Sequence, residues 1–182
     1  NPSELQQSID NFQQYCTAWK LQVNLTKTKV LIFGSGPAKK SKNTFVYSGQ
    51  SIEIVDMYKY LGIKLHRNGR YINTIKTLVE SATKAMYALL KKARNLNLPL
   101  DCTISAFDTM IVPILLYGCE IWGFENVTII EKLHLKFLKI ISSLRNSTPN
   151  FVLYGEFGRE PIYLKMFKRM ITFWHKIATY SG

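Results

Sequence analysis

The beginning of the chain combines one helical pattern with short apolar runs that are typical of strands. Apolar side chains recur every three or four residues at Leu5, Ile9, Phe12, Cys16 and Trp19. This spacing predicts an amphipathic helix that Ser3 can cap and that should stop at Asn24. The apolar run from Lys29 to Phe33 is closed by Gly34, and it predicts a strand buried on both faces.

Two further apolar runs predict a hairpin after this strand. Phe45–Tyr47 and Ile52–Val55 flank a Ser-Gly-Gln turn, and Tyr60–Leu65 predicts one more strand. The segment from Gly34 to Asn43 holds two Gly, one Pro and three Lys, so it is predicted to be a loop. Residues 1–69 therefore predict one helix with a small antiparallel half-sheet, which is too little for a complete α/β domain.

From Tyr71 onward the hydrophobic period is that of helices. The inward face of the first and longest helix is predicted to consist of Ile72, Ile75, Val79, Ala82, Met86, Leu90 and Ala93. Glu80 and Lys84 lie four residues apart on its outer side, and this spacing predicts a stabilising ion pair. The Asn-Leu-Asn-Leu-Pro segment at 95–99 should end the helix.

Three more helices are predicted beyond that break. The second helix should kink at Pro113, where a backbone donor is missing. Its predicted inward side chains are Ile104, Phe107, Ile111 and Leu115. The third helix begins with the capping-box pattern Thr128–Glu131, and Pro161 opens the last one. The predicted fold class is therefore α+β, with a mixed part at 1–69 and an all-α part at 70–182.

The chain carries a large positive charge that is spread over both parts. Its 24 Lys and Arg side chains exceed its 12 Asp and Glu side chains, which gives a formal net charge of +12 at pH 7. Such an excess within folded sequence favours a polyanionic partner, with nucleic acid ahead of a membrane surface. A basic protein without such a partner is the alternative.

Cysteine spacing and hydropathy indicate the compartment. Cys16, Cys102 and Cys119 are odd in number and far apart, which predicts reduced thiols and neither a disulfide framework nor a zinc site. The longest apolar run, Ile111 to Tyr117, is too short for a membrane span and contains Pro113. We therefore expect an intracellular location, nuclear or cytoplasmic, and no membrane partner.

Two of the predicted helices carry basic stripes. Lys132, Lys136 and Lys139 lie at i, i+4 and i+7 of the third helix, and Lys165 and Arg169 lie on one side of the last helix. Long cationic side chains at regular intervals suit the phosphates of a nucleic-acid backbone. A solvated helix face is the alternative for each stripe. The cationic tip at Lys39–Lys42 is equally well explained as a solubilising loop.

The acidic residues do not form a catalytic pattern. Metal-dependent phosphoryl transfer needs carboxylates clustered around divalent ions. The acidic side chains considered for such a cluster are not grouped in the sequence: Asp10, Glu53, Asp56, Asp101 and Asp108. The sequence also has no Gly-rich phosphate loop, no Gly-x-Ser-x-Gly and no His-Glu zinc motif. Judged by its residues, the chain is not a complete enzyme, and no metal ligand is predicted in it.

An ordered set of short motifs resembles the reverse transcriptases of non-LTR (LINE-type) retrotransposons. The motifs are Trp-x-Leu-x-Val-Asn at 19–24, Lys-Thr-Lys at 27–29, Tyr-Lys-Tyr-Leu-Gly at 58–62, Val-Pro-Ile-Leu-Leu-Tyr-Gly at 112–118 and Tyr-Gly-Glu-Phe-Gly at 154–158. The resemblance covers nearly the whole chain. It implies the end of a polymerase palm at 1–69, followed by a helical thumb and the region after it at 70–182.

The resemblance implies a chemical role for one residue. Lys27 matches a palm lysine proposed to assist the departure of pyrophosphate, because a cation beside a leaving group can stabilise charge or donate a proton. A lysine that only flanks a helix-to-strand turn is the alternative. The family's metal-binding aspartates are expected upstream of residue 1, since no Tyr-x-Asp-Asp occurs in this sequence.

The resemblance also implies nucleic-acid contacts. Tyr60, Leu61 and Gly62, with Lys59 before them, match the primer grip, a hairpin that positions the 3′ end of the primer. A buried hairpin with a glycine bulge is the alternative. The long helix that carries Lys84 would lie along the template–primer duplex.

The predicted function is a fragment of an RNA-directed DNA polymerase that grips the primer and the duplex. Its expected partners are an RNA–DNA or RNA template–primer duplex and the rest of the palm and fingers. The parent would need Mg²⁺ bound by upstream aspartates, whereas this chain should hold no cofactor and be inactive alone. A non-catalytic nucleic-acid-binding module, including a degenerate or domesticated remnant, is the alternative, and a helical protein-interaction domain is a third hypothesis. The half-sheet should expose an unpaired edge and apolar faces, which favours self-association.

Overall fold

A computed structural model describes residues 1–34, 44–125 and 128–180 of the protein. The predicted loop from Gly34 to Asn43, with its cationic tip at Lys39–Lys42, lies outside the described residues except for Gly34 itself. The chain forms two compact units, Asn1–Arg70 (unit 1) and Tyr71–Gly182 (unit 2). The predicted α+β class is confirmed, since strands and a helix occur in unit 1 and helices in unit 2.

The described part of unit 1 consists of one helix and six short strands. These elements are α1 (Pro2–Ala18), β1 (Val30–Leu31), β2 (Phe45–Tyr47), β3 (Gln50–Ile52), β4 (Ile54–Val55), β5 (Met57–Tyr60) and β6 (Ile63–His66). The strands pair in three two-stranded ladders, of which β2–β3 and β5–β6 are antiparallel and β1–β4 is parallel. The parallel ladder departs from the predicted antiparallel half-sheet, because the β2–β3 hairpin lies within the connection between β1 and β4.

Two strands differ from the prediction. β1 has only two residues, both half-buried, and Phe33 beyond it is exposed, so this segment is not buried on both faces. The predicted continuous strand at Tyr60–Leu65 is interrupted by a turn at Leu61 and Gly62, between β5 and β6. Both turn residues have positive φ, 46° and 86°, as a two-residue type I′ hairpin turn requires. Glycine adopts this conformation readily, whereas leucine is strained in it.

α1 is amphipathic, but little of its apolar side is buried. Its N-cap is Asn1, whose side chain accepts a hydrogen bond from the Ser3 N–H (3.4 Å), so Ser3 is not the cap that the sequence predicted. Of the predicted apolar face only Cys16 is fully buried. The Gln6 amide accepts from Val46 N–H (3.0 Å) and donates to the Val46 carbonyl (2.8 Å). These two hydrogen bonds attach α1 to β2 and satisfy backbone groups at the edge of that strand.

The described part of unit 2 is helical. Its helices are α2 (Ile72–Asn95), α3 (Leu100–Ala106), α4 (Val112–Leu115), α5 (Cys119–Trp122), α6 (Thr128–Ile141), α7 (Asn150–Glu156) and α8 (Ile162–Thr179), with a π-turn at Phe107–Ile111. The Phe107 and Phe137 rings stack at the centre of the core with centroids 3.9 Å apart. Trp122 is fully buried, and its indole N–H donates to the Tyr117 carbonyl (2.9 Å).

The predicted kink at Pro113 takes the form of this π-turn. Val112 N–H donates to the Phe107 carbonyl, five residues earlier. Pro113 has no N–H and its ring clashes with the carbonyl four residues before it, so the backbone widens ahead of the proline. Phe107, Ile111 and Leu115 are fully buried, as predicted.

Some predicted helix contacts are absent. Glu80 and Lys84 are exposed and form no ion pair with each other. Ile72, predicted to face the core, is exposed. The last turns of α8 are exposed too, although Phe173, Trp174 and Ile177 were predicted to be inside.

The three cysteines are free in the structure. In the described residues, no helix combines the length and the hydropathy that crossing a bilayer requires.

Candidate nucleic-acid interface

Lys27 lies in a turn organised by the side chain of Asn24. The Asn24 carboxamide oxygen accepts from Thr26 N–H (3.0 Å), from the Thr26 hydroxyl (2.6 Å) and from Lys27 N–H (3.2 Å). This is an Asx-type turn, which fixes the backbone without a helix or a sheet. The Lys27 side chain is exposed and forms no ion pair or hydrogen bond within the described ranges, whereas the neighbouring Lys29 pairs with Glu53. Lys27 is thus available for an external anion, and Lys29 is partly neutralised.

One hydrogen bond joins this turn to the β5–β6 hairpin. The Tyr58 hydroxyl, from β5, donates to the Lys27 carbonyl (2.9 Å). The structure therefore brings together the two motifs that the sequence analysis placed at 27–29 and 58–62. A rigid aromatic side chain sets the distance between them.

The tip of the hairpin is exposed. The side chains of Tyr60 and Leu61 are 60% and 71% exposed, and Lys59 and Gly62 are exposed too. The alternative of a buried hairpin with a glycine bulge is therefore wrong for this tip. An apolar residue held at positive φ on the surface is a costly arrangement, and such outliers are found at functional sites.

In unit 2, α2 and α6 together form one basic surface. Lys84, Tyr87, Lys91 and Arg94 follow one another at spacings of three and four on α2, and all four are exposed. The Lys136 ammonium of α6 lies over the Tyr87 ring, 5.3 Å from its centroid, a cation–π contact. Lys132 is exposed one turn earlier. The α2–α6 surface is defined as Lys84, Tyr87, Lys91, Arg94, Lys132 and Lys136.

A cleft opens where this surface reaches the C-terminal end of α2. Two adjoining cavities of about 500 and about 380 Å³ are both lined by Leu90, Arg94 and Ile140. Tyr87 and Lys91 line the first cavity. We call the two cavities together the α2–α6 cleft.

The other cations of α6 and α8 that were predicted to bind nucleic acid already have partners within unit 2. The Lys139 ammonium donates to the Asn146 carbonyl (2.6 Å), which turns it toward the end of α6. Lys165 pairs with Asp108 (3.0 Å), and Arg169 pairs with Glu120 (3.0 Å). These three residues stay predicted nucleic-acid ligands, but each already has a partner that a phosphate would have to share or displace.

A buried polar network crosses the core of unit 2. Arg159 binds Asp108 through both guanidinium ends (2.9 and 2.5 Å) and donates from Nε to His134 Nε2 (3.2 Å). His134 Nδ1 lies 3.1 Å from Glu131. Since arginine only donates, Nε2 is the accepting nitrogen and Nδ1 carries the proton. His134 is almost completely buried.

Tyr154 and Tyr163 complete the network around Glu131. The Tyr154 hydroxyl donates to Glu131 Oε1 (2.7 Å), and Tyr163 N–H donates to Oε2 (3.3 Å). Burial alone would raise the pKa of Glu131, but hydrogen bonds from His134 and Tyr154 hold it below its usual value. Burial also opposes ionisation of Asp108, yet hydrogen bonds from Arg159 and Lys165 lower its pKa. Each of these side chains has a partner, so the network joins the π-turn, α6, α7 and α8 of unit 2.

In the parts of the chain that the structure describes, no three His, Cys, Asp or Glu side chains come together in a way that could hold a metal ion. The residues present therefore do not fit the magnesium site of a polymerase.

In sequence, the chain is related to RNA-directed DNA polymerases of non-LTR retrotransposons, which confirms the resemblance of its motifs. It is 28% identical over 148 residues to the RNA-directed DNA polymerase from mobile element jockey of Drosophila melanogaster. It is 25% identical over 143 residues to the jockey polymerase of Drosophila funebris. It is 24% identical over 148 residues to the probable RNA-directed DNA polymerase from transposon X-element of Drosophila melanogaster.

These alignments cover 75–78% of this chain but only 15–16% of the three relatives. The chain therefore spans about one sixth of the length of the curated polymerases that it matches. No protein-family model and no solved structure matches it.

Sequence reasoning missed part of the α2–α6 surface and all of the network. Tyr87, Lys91 and Arg94 follow Lys84 at helical spacing, and this pattern could have identified them. The pairing of Asp108 with Arg159 joins residues 51 positions apart, and no local pattern predicts such a contact.

Proposed function

We propose that this chain is the part of a retrotransposon RNA-directed DNA polymerase that grips the primer and the template–primer duplex. In this proposal unit 1 is the end of the palm, with the primer grip at the β5–β6 tip, and unit 2 is the thumb and the region after it. Lys27 is the lysine that assists the departure of pyrophosphate in the parent enzyme. The protein is intracellular, in the nucleus or the cytoplasm.

The α2–α6 surface is the observation that carries the proposal. Its five cations are exposed, and none of them forms an ion pair with another described residue. Unit 2 does pair cations elsewhere, at Asp108 and Glu120. Leaving one face unneutralised suits a polyanion, because each phosphate contact releases bound counterions.

The dimensions of α2 also suit a duplex. The helix has 24 residues, which is about 36 Å at 1.5 Å per residue. One turn of a duplex is about 34 Å long. A straight helix of this length can lie alongside about one turn of a duplex, and its cations from Lys84 to Arg94 span about 15 Å of that length.

The polymerase chemistry belongs to the rest of the parent protein in this proposal. The chain contributes no cluster of carboxylates among its described residues, and the Mg²⁺ ions of the parent are bound by aspartates of another segment. Nucleotide incorporation is therefore not expected from this chain alone.

Binding of an RNA–DNA hybrid at several salt concentrations tests the proposal. The double variant Lys84→Gln/Lys136→Gln removes two cations from the α2–α6 surface. Fluorescence anisotropy should show weaker binding and a salt slope lower by about 0.9 per lysine. The matched control is Lys92→Gln/Lys176→Gln, which removes two exposed lysines outside this surface. Lys92 follows Lys91 and is turned about 100° around α2.

The control variant should keep most of the affinity and most of the slope. Equal losses in both double variants would indicate a diffuse charge effect without a defined interface. Binding that does not weaken as salt rises would contradict the proposal and favour a protein-interaction domain.

A further inference from the structure

We propose that the α2–α6 cleft binds unpaired nucleotides of a single strand where that strand leaves the duplex. This inference rests on the proposed function, because the duplex is taken to lie on the same surface. It goes further in naming a second ligand, single-stranded nucleic acid, and the residues that bind it.

The cleft combines the two elements that single-strand binding requires. An aromatic ring on which a base can stack is supplied by Tyr87, which is 46% exposed. Cations for the phosphates are supplied by Lys91 and Arg94 at the rim. Stacking on an aromatic side chain beside a positively charged groove is the usual way to bind a strand without reading its sequence.

The position of the Tyr87 ring supports stacking by a base. Lys136 lies over one face of the ring, so a base would stack on the other face or replace the ammonium. Leu90 and Ile140 provide apolar lining beside it. A base entering the cleft would therefore meet an aromatic ring and aliphatic side chains, while its phosphates stay near the cations.

The charge of the lining distinguishes between possible ligands. No acidic side chain is found among the described residues that line either cavity. Arg94 lines both cavities and has no ion pair within 1–34, 44–125 and 128–180. An anionic ligand fits such a lining, whereas a basic peptide does not.

The shape of the cleft favours a single strand over a duplex. Cavities of about 500 and about 380 Å³ are in the size range of small-ligand pockets. A base can enter such a pocket, but in a duplex the bases are stacked inside and only the backbone is presented. The cleft continues the line of Lys84, Tyr87 and Lys91 along α2, so a strand that leaves a duplex bound by Lys84 would pass over it.

Two RNA–DNA hybrids with the same duplex part test this inference on the full chain. One hybrid is blunt, and the other carries an RNA overhang of about six nucleotides with 2-aminopurine in it. The overhang should tighten binding about fivefold or more, as stacking of one base on an aromatic ring does. The 2-aminopurine fluorescence should fall on binding.

Three variants test whether the gain in affinity from the overhang depends on the Tyr87 ring. Tyr87→Leu should lose the gain from the overhang, and Tyr87→Phe should keep it because the ring remains. Phe151→Leu removes another exposed aromatic side chain of unit 2 and should keep the gain as well. Thermal melting of each variant shows whether the fold is intact, and Tyr87→Phe keeps the test decisive if Tyr87→Leu is less stable.

The outcomes separate this inference from the proposed function. Equal affinity for the two hybrids in the unmodified protein overturns the cleft inference and leaves duplex binding in place. Failure to bind the blunt hybrid overturns the proposed function, and a 2-aminopurine response that depends on Tyr87 would then still support the cleft. Displacement of the overhang by an acidic peptide but not by single-stranded RNA overturns the cleft inference in favour of a protein partner.

Discussion

Unit 1 and unit 2 are each stabilised by a different kind of internal contact. Unit 2 has a continuous apolar core in which Phe107, Trp122 and Phe137 are completely buried. Among the described residues of unit 1, the buried apolar side chains are Cys16, Phe45, Ile52 and Ile63. Elements of unit 1 are also joined by polar contacts, such as those of Gln6 with Val46 and of Tyr58 with Lys27.

The two units therefore differ in how much stability they gain from buried apolar area. Burial of apolar area is the main source of stability, and a small unit with few buried side chains is marginal by itself. Several large apolar side chains of unit 1 are exposed, namely Phe12, Tyr15, Trp19, Leu21 and Phe33. Apolar surface of this kind favours association with other protein surfaces.

The largest expected effect is a loss of unfolding free energy, which should be much greater for a buried tryptophan of unit 2 than for an exposed one of unit 1. Trp122→Ala removes a fully buried side chain of unit 2 and should cost about 3–5 kcal/mol of unfolding free energy. Trp19→Ala removes a side chain of unit 1 that is 67% exposed and should cost about 0.5 kcal/mol or less. Urea unfolding followed by circular dichroism measures both. Equal costs would mean that the two units do not differ in the way described.

A somewhat smaller effect is expected for the polar network. Arg159→Met removes the bidentate partner of Asp108, which keeps Lys165, and leaves the buried His134 Nε2 without its donor, which should cost about 2 kcal/mol. The matched control is Arg67→Met in unit 1, whose own side chain is 19% exposed but whose partner Asp56 is 65% exposed, and a cost of about 1 kcal/mol is expected there. Thermal unfolding of the two variants compares them. A loss for Arg67→Met as large as that for Arg159→Met would contradict the ranking.

The smallest expected effect is a response of unit 2 to acid. Asp108 and Glu131 have pKa values lowered by the folded state, so the unfolded chain binds more protons. Their contribution to stability is complete above the unfolded pKa values, about 4, and is lost as pH falls through the lower folded values. Unfolding of unit 2, followed by the Trp122 indole N–H resonance, should therefore shift to lower temperature below about pH 4.

Two comparisons check the origin of this acid response. Asp108→Asn should reduce the pH dependence, because one of the two titrating groups is gone. The Trp19 resonance of unit 1 should shift less, since the Glu53 and Asp56 carboxylates there are exposed and such pairs contribute little. An acid shift of the same size for Trp19 and Trp122 would show that the network is not its source.

The periodic helices were predictable from the sequence, and the strands were predictable only in part. The inward positions of α2 and of the segment around Phe107 follow from local spacing, and the structure places most of them inside. The turn at Leu61 was missed because leucine rarely adopts positive φ. The parallel pairing of β1 with β4 was missed because two-residue strands have no pattern of their own.

The candidate interface was predictable to a similar degree. The motifs indicated Lys27 and the hairpin tip, and regular spacing indicated Lys132 and Lys136. Spacing could not show that Lys165 and Arg169 pair with carboxylates from other helices. It also could not show that Lys136 lies over Tyr87, because that contact depends on how two helices pack.

The π-turn at Phe107–Ile111 makes the length of this segment a constraint in its own right. A π-turn holds one residue more than the equivalent stretch of α-helix. Deleting a single residue there would give a regular α-helix with the flanking segments still in register, and the Pro113 ring would then clash with the carbonyl four residues before it. A deletion that leaves the hydrophobic composition almost unchanged would thus be more damaging than many substitutions, and insertions are better tolerated in the exposed loops.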